Sequence, residues 1–428
     1  MFKLKESVKL VLGATHGALL ALESGKVYNV NDVAVQVLTY GLGDELYWKN
    51  LCEVGLAEEC QNQPDPTTFI LTKDTVVNAD TRELHFIWLE IVSDGCNLRC
   101  VHCYANSGMG NKSVGETMRF EDWRRVLLQA YQLGCRECQL IGGEPFLYRD
   151  TGRNILDVVR MAHACGYNLV EVYTNGTLMS AAAVALFSKL GTNVALSMYS
   201  NQPEIHDRVT GVSGSHGRTV RAIDMLLGNG VKTRVEIVVM RANQHTVEET
   251  AAYLRDRGVT TGNPDPLRPT GRGASERLIP NLDVLQKYGI LMKPSFVCNE
   301  RTLYKNMRGN PCLDGKLAIT SSGAVFPCIF ARSWEVGNAH TANLETILRD
   351  PKLTSVWSIT KDSVLVCKDC EYRYCCGDCR VLAAGSSKCE ASLSNPYPRC
   401  SYNPYTDEWG QGIWKVDGNR VPFYERFS

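Results

Sequence analysis

The chain lacks any excess of charge: 46 Lys and Arg stand against 46 Asp and Glu in 428 residues. A surface that gathers phosphates or anionic lipid needs a cationic surplus, so the composition gives no support to general nucleic-acid or anionic-membrane binding. Apolar runs of membrane-spanning length are missing as well. The opening Met1-Phe2-Lys3-Leu4-Lys5-Glu6 has no apolar signal-peptide core, and the expectation is a cytoplasmic protein with neither nucleic acid nor membrane as partner. The length allows two to four domains, with ample core.

Cysteine is what the chain has in surplus, with 18 residues, ten of them after residue 297. In a reducing compartment thiols do not pair, so clustered cysteines read as metal ligands. The tightest cluster is Cys96-Asn-Leu-Arg-Cys100-Val-His-Cys103-Tyr104. Its three thiolates can converge from one loop on one soft metal centre. A closed zinc site or a fully ligated iron–sulfur cluster takes four ligands, so a three-thiolate loop leaves a position open for chemistry. Structural zinc is the plainer alternative for the loop taken alone.

Organisation follows hydrophobic period. Residues 1–80 read as a winged-helix-like module, with strands at 8–12, 18–22 and 27–30 and helices over 32–38 and about 44–57. Residues 62–68 read as a linker. From 81 to about 280, strand and helix signals alternate through roughly six βα units, with strands near 84–92, 139–141, 169–173, 194–198 and 234–240 and a weak last one. That alternation predicts an α/β fold with a parallel sheet, open or curled as a partial (β/α)6 TIM-like barrel, whose functional loops lie at the C-terminal strand ends. The cysteine loop, Gly142-Gly143-Glu144-Pro145 and Thr174-Asn175-Gly176 all fall there. Residues 281–428 lose the alternation and are short-segmented and cysteine-rich, as in a domain stapled by metal.

The Cys96-x3-Cys100-x2-Cys103 run after a first strand and the Gly142–Pro145 turn after the second together resemble the radical S-adenosylmethionine (SAM) superfamily. The resemblance implies a 4Fe–4S cluster on Cys96, Cys100 and Cys103 whose open iron binds the amino and carboxylate groups of SAM. Reductive cleavage of SAM would give a 5′-deoxyadenosyl radical that abstracts hydrogen from substrate. It further implies SAM contacts from Gly142, Gly143, Glu144, Pro145, Asn175 and Ser197, with Glu144 accepting from the ligand's ammonium. His206-Asp207-Arg208-Val209-Thr210-Gly211 resembles a His-Asp loop of the family, although Thr210 stands where relatives often carry arginine. Pro269-Thr-Gly-Arg272-Gly resembles a turn near the end of such barrels. The sequence singles out no catalytic residue.

Cys312, Gly323-Ala-Val-Phe-Pro-Cys328, Cys367-x2-Cys370-x5-Cys376-x2-Cys379 and Cys400 resemble the SPASM extension of radical SAM enzymes. By position, Cys312, Cys328 and Cys379 would hold one auxiliary 4Fe–4S cluster, its fourth ligand being Cys298, Cys375, Cys389 or none. Cys367, Cys370, Cys376 and Cys400 would hold a second, which makes three clusters in all. A zinc ribbon is the alternative for 367–379, but seven cysteines exceed one zinc site. Cys135 and Cys138 have chelating spacing yet enter a strand, where residues three apart face opposite ways. Cys52, Cys60 and Cys165 read as small buried residues.

The resemblance points to the maturases of ribosomally made peptides (RiPPs). Such enzymes modify a precursor peptide by thioether or carbon–carbon crosslinking, epimerisation or backbone rearrangement. The N-terminal module would bind the leader as an added strand, and a flavodoxin- or ferredoxin-type donor would supply electrons. Two other readings stand beside this one. A haem or redox-cofactor enzyme acting on a small molecule is suggested by Cys370-Glu-Tyr-Arg-Tyr-Cys-Cys376, and a non-enzymatic metal-binding scaffold is the third.

Overall fold

The computed structural model describes residues 1–40, 45–61, 65–75, 83–110, 117–386 and 391–427. The start of the expected linker, at 62–64, the expected second-helix start at Asp44 and the candidate ligand Cys389 lie outside the described residues. The chain divides into two compact units. The larger comprises Thr81–Gly289 and Gly315–Thr354; the smaller comprises Met1–Asp80, Ile290–Asp314 and Ser355–Ser428.

In the larger unit β1 (Phe86–Val92), β2 (Glu137–Gly142), β3 (Leu169–Thr174), β4 (Asn193–Ser197), β5 (Thr233–Glu236) and β6 (Thr260–Thr261) lie side by side in sequence order, all parallel. Helices α1 (Phe120–Gln132), α2 (Ile155–Cys165) and α3 (Ala181–Leu190) make the first crossovers. Each helix forms because its apolar residues recur on one face and its ends are capped. In α1, Trp123, Val126, Leu127 and Ala130 are buried. In α2, Asn154 accepts from the Leu156 N–H, and Gly166, at φ 96°, ends the helix. Strands buried on both faces need near-continuous apolar runs, and Val170-Glu-Val172 and Val194-Ala-Leu196 supply them. This is the expected α/β partial barrel.

Three details differ from the expectation. The strand expected over 234–240 breaks after Glu236, and Val238–Val239 pairs in parallel with Asp265–Pro266 instead. Pro203–Thr210 is a helix, begun by Pro203 and ended by Gly211 at φ 70°. Beyond residue 314 the sheet continues: β7 (Lys316–Ile319) pairs in parallel with β1, and β8 (Ala324–Phe326) and β9 (Gly337–Asn338) follow antiparallel. Residues 315–354 therefore belong with the barrel rather than with a separate C-terminal domain. Their buried Leu317, Ala318 and Ile319 cover the edge of β1, which would otherwise be left unpaired.

The smaller unit holds the strands Val8–Leu12, Gly17–Ala21 and Lys26–Val30 and the helices Asp32–Tyr40 and Glu45–Glu53, close to the expected places. Its sheet has four strands, because Ile70–Leu71 returns parallel to the first. One face, with Leu10 and Leu19, packs on Ala34, Val37, Trp48 and Leu51 of the helices. The other, with Val11, Ala18 and Leu20, packs on Cys298, Leu303, Tyr372, Tyr374 and Tyr402. Residues 1–80 thus share a core with 290–314 and 355–428, and do not form the self-contained winged-helix-like module expected. Among the described residues, no helix is long and apolar enough to cross a membrane.

Phe187 of α3 is fully buried and meets Phe146 edge-on at 6.3 Å. Phe187→Ala should cost ~3–5 kcal/mol, read as a lowered unfolding midpoint of the larger unit by circular dichroism. An unchanged midpoint would contradict this packing.

Candidate active site

The loop that follows β1 is held by backbone from three sides. Cys96 N–H donates to Gly108 O (3.2 Å), closing the loop on itself. Arg99 and Val101 donate to the carbonyls of Thr210 and Val209 (2.8 and 3.0 Å), at the end of the unexpected helix. Arg272 secures the third side: Nε donates to Cys100 O (2.9 Å), Nη2 to Ser107 O (2.7 Å), and its backbone N–H to Cys103 O (3.0 Å). Gly271 lies at φ 56°, where a Cβ would overlap the Cys103 and Tyr104 carbonyls.

These supports bring Cys96, Cys100 and Cys103 to the wall of one cavity of about 500 Å³ inside the barrel. Burial pushes the Cys96 thiol up to about 11 and the Cys100 thiol up to about 12, so ligand formation must release protons. Burial also brings His102, between them and Cys103, down to about 4. Gly142 and Gly143 line the same cavity. A Cβ at Gly143 would overlap the Gly95 carbonyl, and one at Gly142 (φ 134°) the Val92 carbonyl. Among the described residues no three His, Cys, Asp or Glu side chains are grouped to hold a single metal ion. Three thiols on one cavity wall, facing a glycine shelf, suit an iron–sulfur cluster with a small ligand beside it.

Of the other residues singled out from the sequence, Asn175 and Ser197 also line the cavity. Asn175 Nδ2 reaches Asn97 Oδ1 (2.9 Å) and the Cys96 sulfur (3.8 Å), and Ser197 shares a hydrogen bond with Tyr173 (2.8 Å). Glu144 and Pro145 are buried and are not among the lining residues. The Glu144 carboxylate accepts from Thr174 Oγ1 (2.7 Å) and from the N–H groups of Asn175 (3.0 Å) and Phe146 (3.1 Å). It therefore ties two loops together rather than facing the cavity. Asp207 caps the helix Ser215–Gly228 through Ser215 and His216, and His206 packs between Tyr199 and His216. Arg208 is exposed and away from the cavity.

Sequence reasoning missed the polar floor of the cavity. Arg234 spans Glu171 through Nε and Nη2 (both 2.8 Å) and also pairs with Glu236. Gln139 donates to Glu171 (2.5 Å). The signal was present as charged residues inside otherwise apolar strands. Glu90 is a second case. It is fully buried on β1 and accepts from Tyr104 (3.1 Å) and Arg332, while Phe330 meets Tyr104 edge-on at 5.2 Å.

In the smaller unit burial pushes the thiols of Cys370, Cys376 and Cys400 up, and Cys367 lies near enough to each to add to the effect. Val366 just before them has φ 68°, a strained value for a β-branched residue. Cys298 and Cys375 sit in the apolar core, with their sulfurs on the carbonyls of Tyr374 (3.7 Å) and Tyr372 (3.3 Å). Cys379 accepts from Leu382 N–H (3.4 Å) at a helix start, and Cys312 N–H donates to Asn310 (2.9 Å). Cys328 follows β8 in the larger unit.

A parallel partial barrel with three cysteines after its first strand is similar to the radical SAM class, and part of the chain matches that superfamily. The superfamily's model matches residues 91–254, and an iron-sulfur cluster-binding domain, SPASM, matches 312–371. The antilisterial bacteriocin subtilosin biosynthesis protein AlbA of Bacillus subtilis is 28% identical over 68% of this chain and 66% of its own length, just under two thirds. The PqqA peptide cyclase of Gluconobacter oxydans is 24% identical over 78% of this chain and 95% of its own. The crystal structure of Streptococcus suis SuiB bound to precursor peptide SuiA covers 92% of this chain and 98% of that one at TM-score 0.56 and 16% identity, a likeness of fold.

Gly271→Ala should cost at least ~1–2 kcal/mol for its left-handed backbone and push the cysteine loop outward. The expected readouts are a lower melting temperature and less iron retained after anaerobic reconstitution. Wild-type values for both would show that this turn does not hold the loop.

Proposed function

We infer that this chain modifies a ribosomally made precursor peptide by hydrogen abstraction. The observation that carries the reading is the cavity lined by Cys96, Cys100, Cys103 and the Gly142–Gly143 shelf, in a chain whose relatives over most of its length include a bacteriocin biosynthesis protein and a peptide cyclase. When bound, the cluster and SAM supply a 5′-deoxyadenosyl radical. The chain's own residues hold and enclose that chemistry. Arg272 and Asn175 fix the cysteine loop, and Gly142 and Gly143 let a ligand approach backbone closely. Gln139, Arg234 and Glu236 give the cavity a polar floor that orients hydroxyl and amide groups. The barrel wall around the cavity limits the access of water and stray donors to the reacting carbon.

The finer assignments belong to the same proposal: Cys96, Cys100 and Cys103 as cluster ligands, Gly142, Gly143, Asn175 and Ser197 as SAM contacts, two auxiliary clusters in the SPASM domain, a leader-bearing peptide as partner, and a flavodoxin- or ferredoxin-type donor. The small-molecule reading from the Cys370–Cys376 run ranks second.

Three measurements test this. Reconstituted protein should hold about twelve irons per chain if three 4Fe–4S clusters form. The Cys96→Ala, Cys100→Ala, Cys103→Ala variant should make no 5′-deoxyadenosine from SAM and dithionite; undiminished formation would refute the assignment. Mass spectrometry of a candidate precursor incubated with enzyme, SAM and reductant should show a changed mass, and a leaderless version should react far more slowly. An equal rate without the leader would remove the leader from recognition.

A further inference from the structure

The smaller unit buries two cations against one carboxylate. Lys361 and Arg380 are 5% and 0% exposed, and the Asp378 side chain is sealed from solvent. Asp378 receives Lys361 Nζ, Arg380 through Nε (2.8 Å) and Nη2, and Asn310 Nδ2 (2.9 Å). Arg380 Nη1 donates to the carbonyls of Leu393 (2.9 Å) and Asn395 (2.8 Å). Asp362, the nearby carboxylate in sequence, is engaged by Arg373 (3.1 Å) and Tyr374 (2.8 Å). Among the described residues at this spot two cations thus face one carboxylate, a costly arrangement unless a further anion lies close by.

Thiols can supply that anion; the buried Glu371 carboxylate faces Cys370 and is engaged by Tyr402 and Asn29. Cys367 and Cys376 act electrostatically on Lys361, and Cys367 and Cys379 on Arg380. Asp378 itself sits in the turn Cys376-Gly377-Asp378-Cys379. Neutral thiols leave the surplus uncompensated, whereas thiolates holding an iron–sulfur cluster remove it. One more electron on that cluster would be favoured further. The two cations are not equivalent: Arg380 anchors backbone as well as Asp378, whereas among the described residues Lys361 is hydrogen-bonded to Asp378 alone and acts mainly as charge.

We propose that Lys361, held by Asp378 beside Cys367 and Cys376, sets the reduction potential of the iron–sulfur cluster on Cys367, Cys370, Cys376 and Cys400 by presenting a buried positive charge that favours its reduced state. This rests on the cluster reading above and makes Lys361 a positioning residue for charge rather than a ligand. The cluster's charge and hydrogen-bond surroundings are general determinants of its potential.

The test uses the full chain with Cys96, Cys100 and Cys103 replaced by Ala, so that only auxiliary sites load iron, titrated with dithionite under electron paramagnetic resonance. Lys361→Met and Lys361→Gln are expected to retain the parent's iron and to shift one couple negative by about tenfold in its reduced-to-oxidised ratio, about 59 mV for one electron. Lys361→Arg should restore the parent value. The Gln variant keeps a hydrogen bond to Asp378 and gives the reading if the Met variant fails to fold. Full iron with every couple unmoved in the neutral variants overturns the proposal. Absence of iron from the parent would instead overturn the cluster reading, so the two failures are distinguishable.

Discussion

Main chain lies directly on main chain between the loops that follow β1 and β2, with no side chain between them. Gly143 N–H donates to Val92 O (2.5 Å) and Glu144 N–H to Gly95 O (3.1 Å), and neither Gly142 nor Gly143 has room for a Cβ. The bulge in β1 between Glu90 and Val92 shifts the register there and brings the cysteine loop over the shelf. A methyl group at Gly143 would lift the loop and move all three thiols together. The placement of Cys96, Cys100 and Cys103 is thus decided by backbone crowding before any metal chemistry begins.

Around this contact, carboxylates act as fasteners, Glu144 and Glu90 fully buried and Asp207 part-buried. Glu144 binds the turn after β3 to its own loop, Asp207 joins a short helix to the next, and Glu90 gathers Tyr104 and Arg332 from separate segments. Each gathers several donors at once, which is how an ionised or hydrogen-bonded carboxyl tolerates burial. Burial pushes Glu144 and Glu90 upward while their donors pull them back down.

The barrel was legible because its period alternated cleanly between two and 3.6, and the cysteine and glycine motifs fell where strands end. The shape of the cysteine loop was not legible, since it depends on Arg272 and on the helix end at Val209–Thr210, both distant in sequence. Glu144 falls on the turn expected, tied to a neighbouring loop. Its buried amide partners come from Thr174-Asn175, which spacing alone does not reveal. The helix Pro203–Thr210 was announced by Pro203 and Gly211 and was masked by motif reading. The N-terminal boundary failed for another reason. Gly17-Ala-Leu-Leu-Ala21 is apolar at every position and buried throughout, the pattern of a strand covered on both faces, and the second cover lies near the far end of the chain.

That doubly covered sheet sets an order on synthesis. Val11, Ala18 and Leu20 leave the ribosome early, but the residues that cover them, from Cys298 to Tyr402, are made late. The barrel strands β1 to β6 are complete well before then. Until those residues are made the first strands carry an uncovered apolar face, the kind of surface that chaperones shield and that aggregates when they do not. The smaller unit's cysteines become enclosed only once the residues up to Tyr402 have been made, so any metal they hold would have to enter after that point.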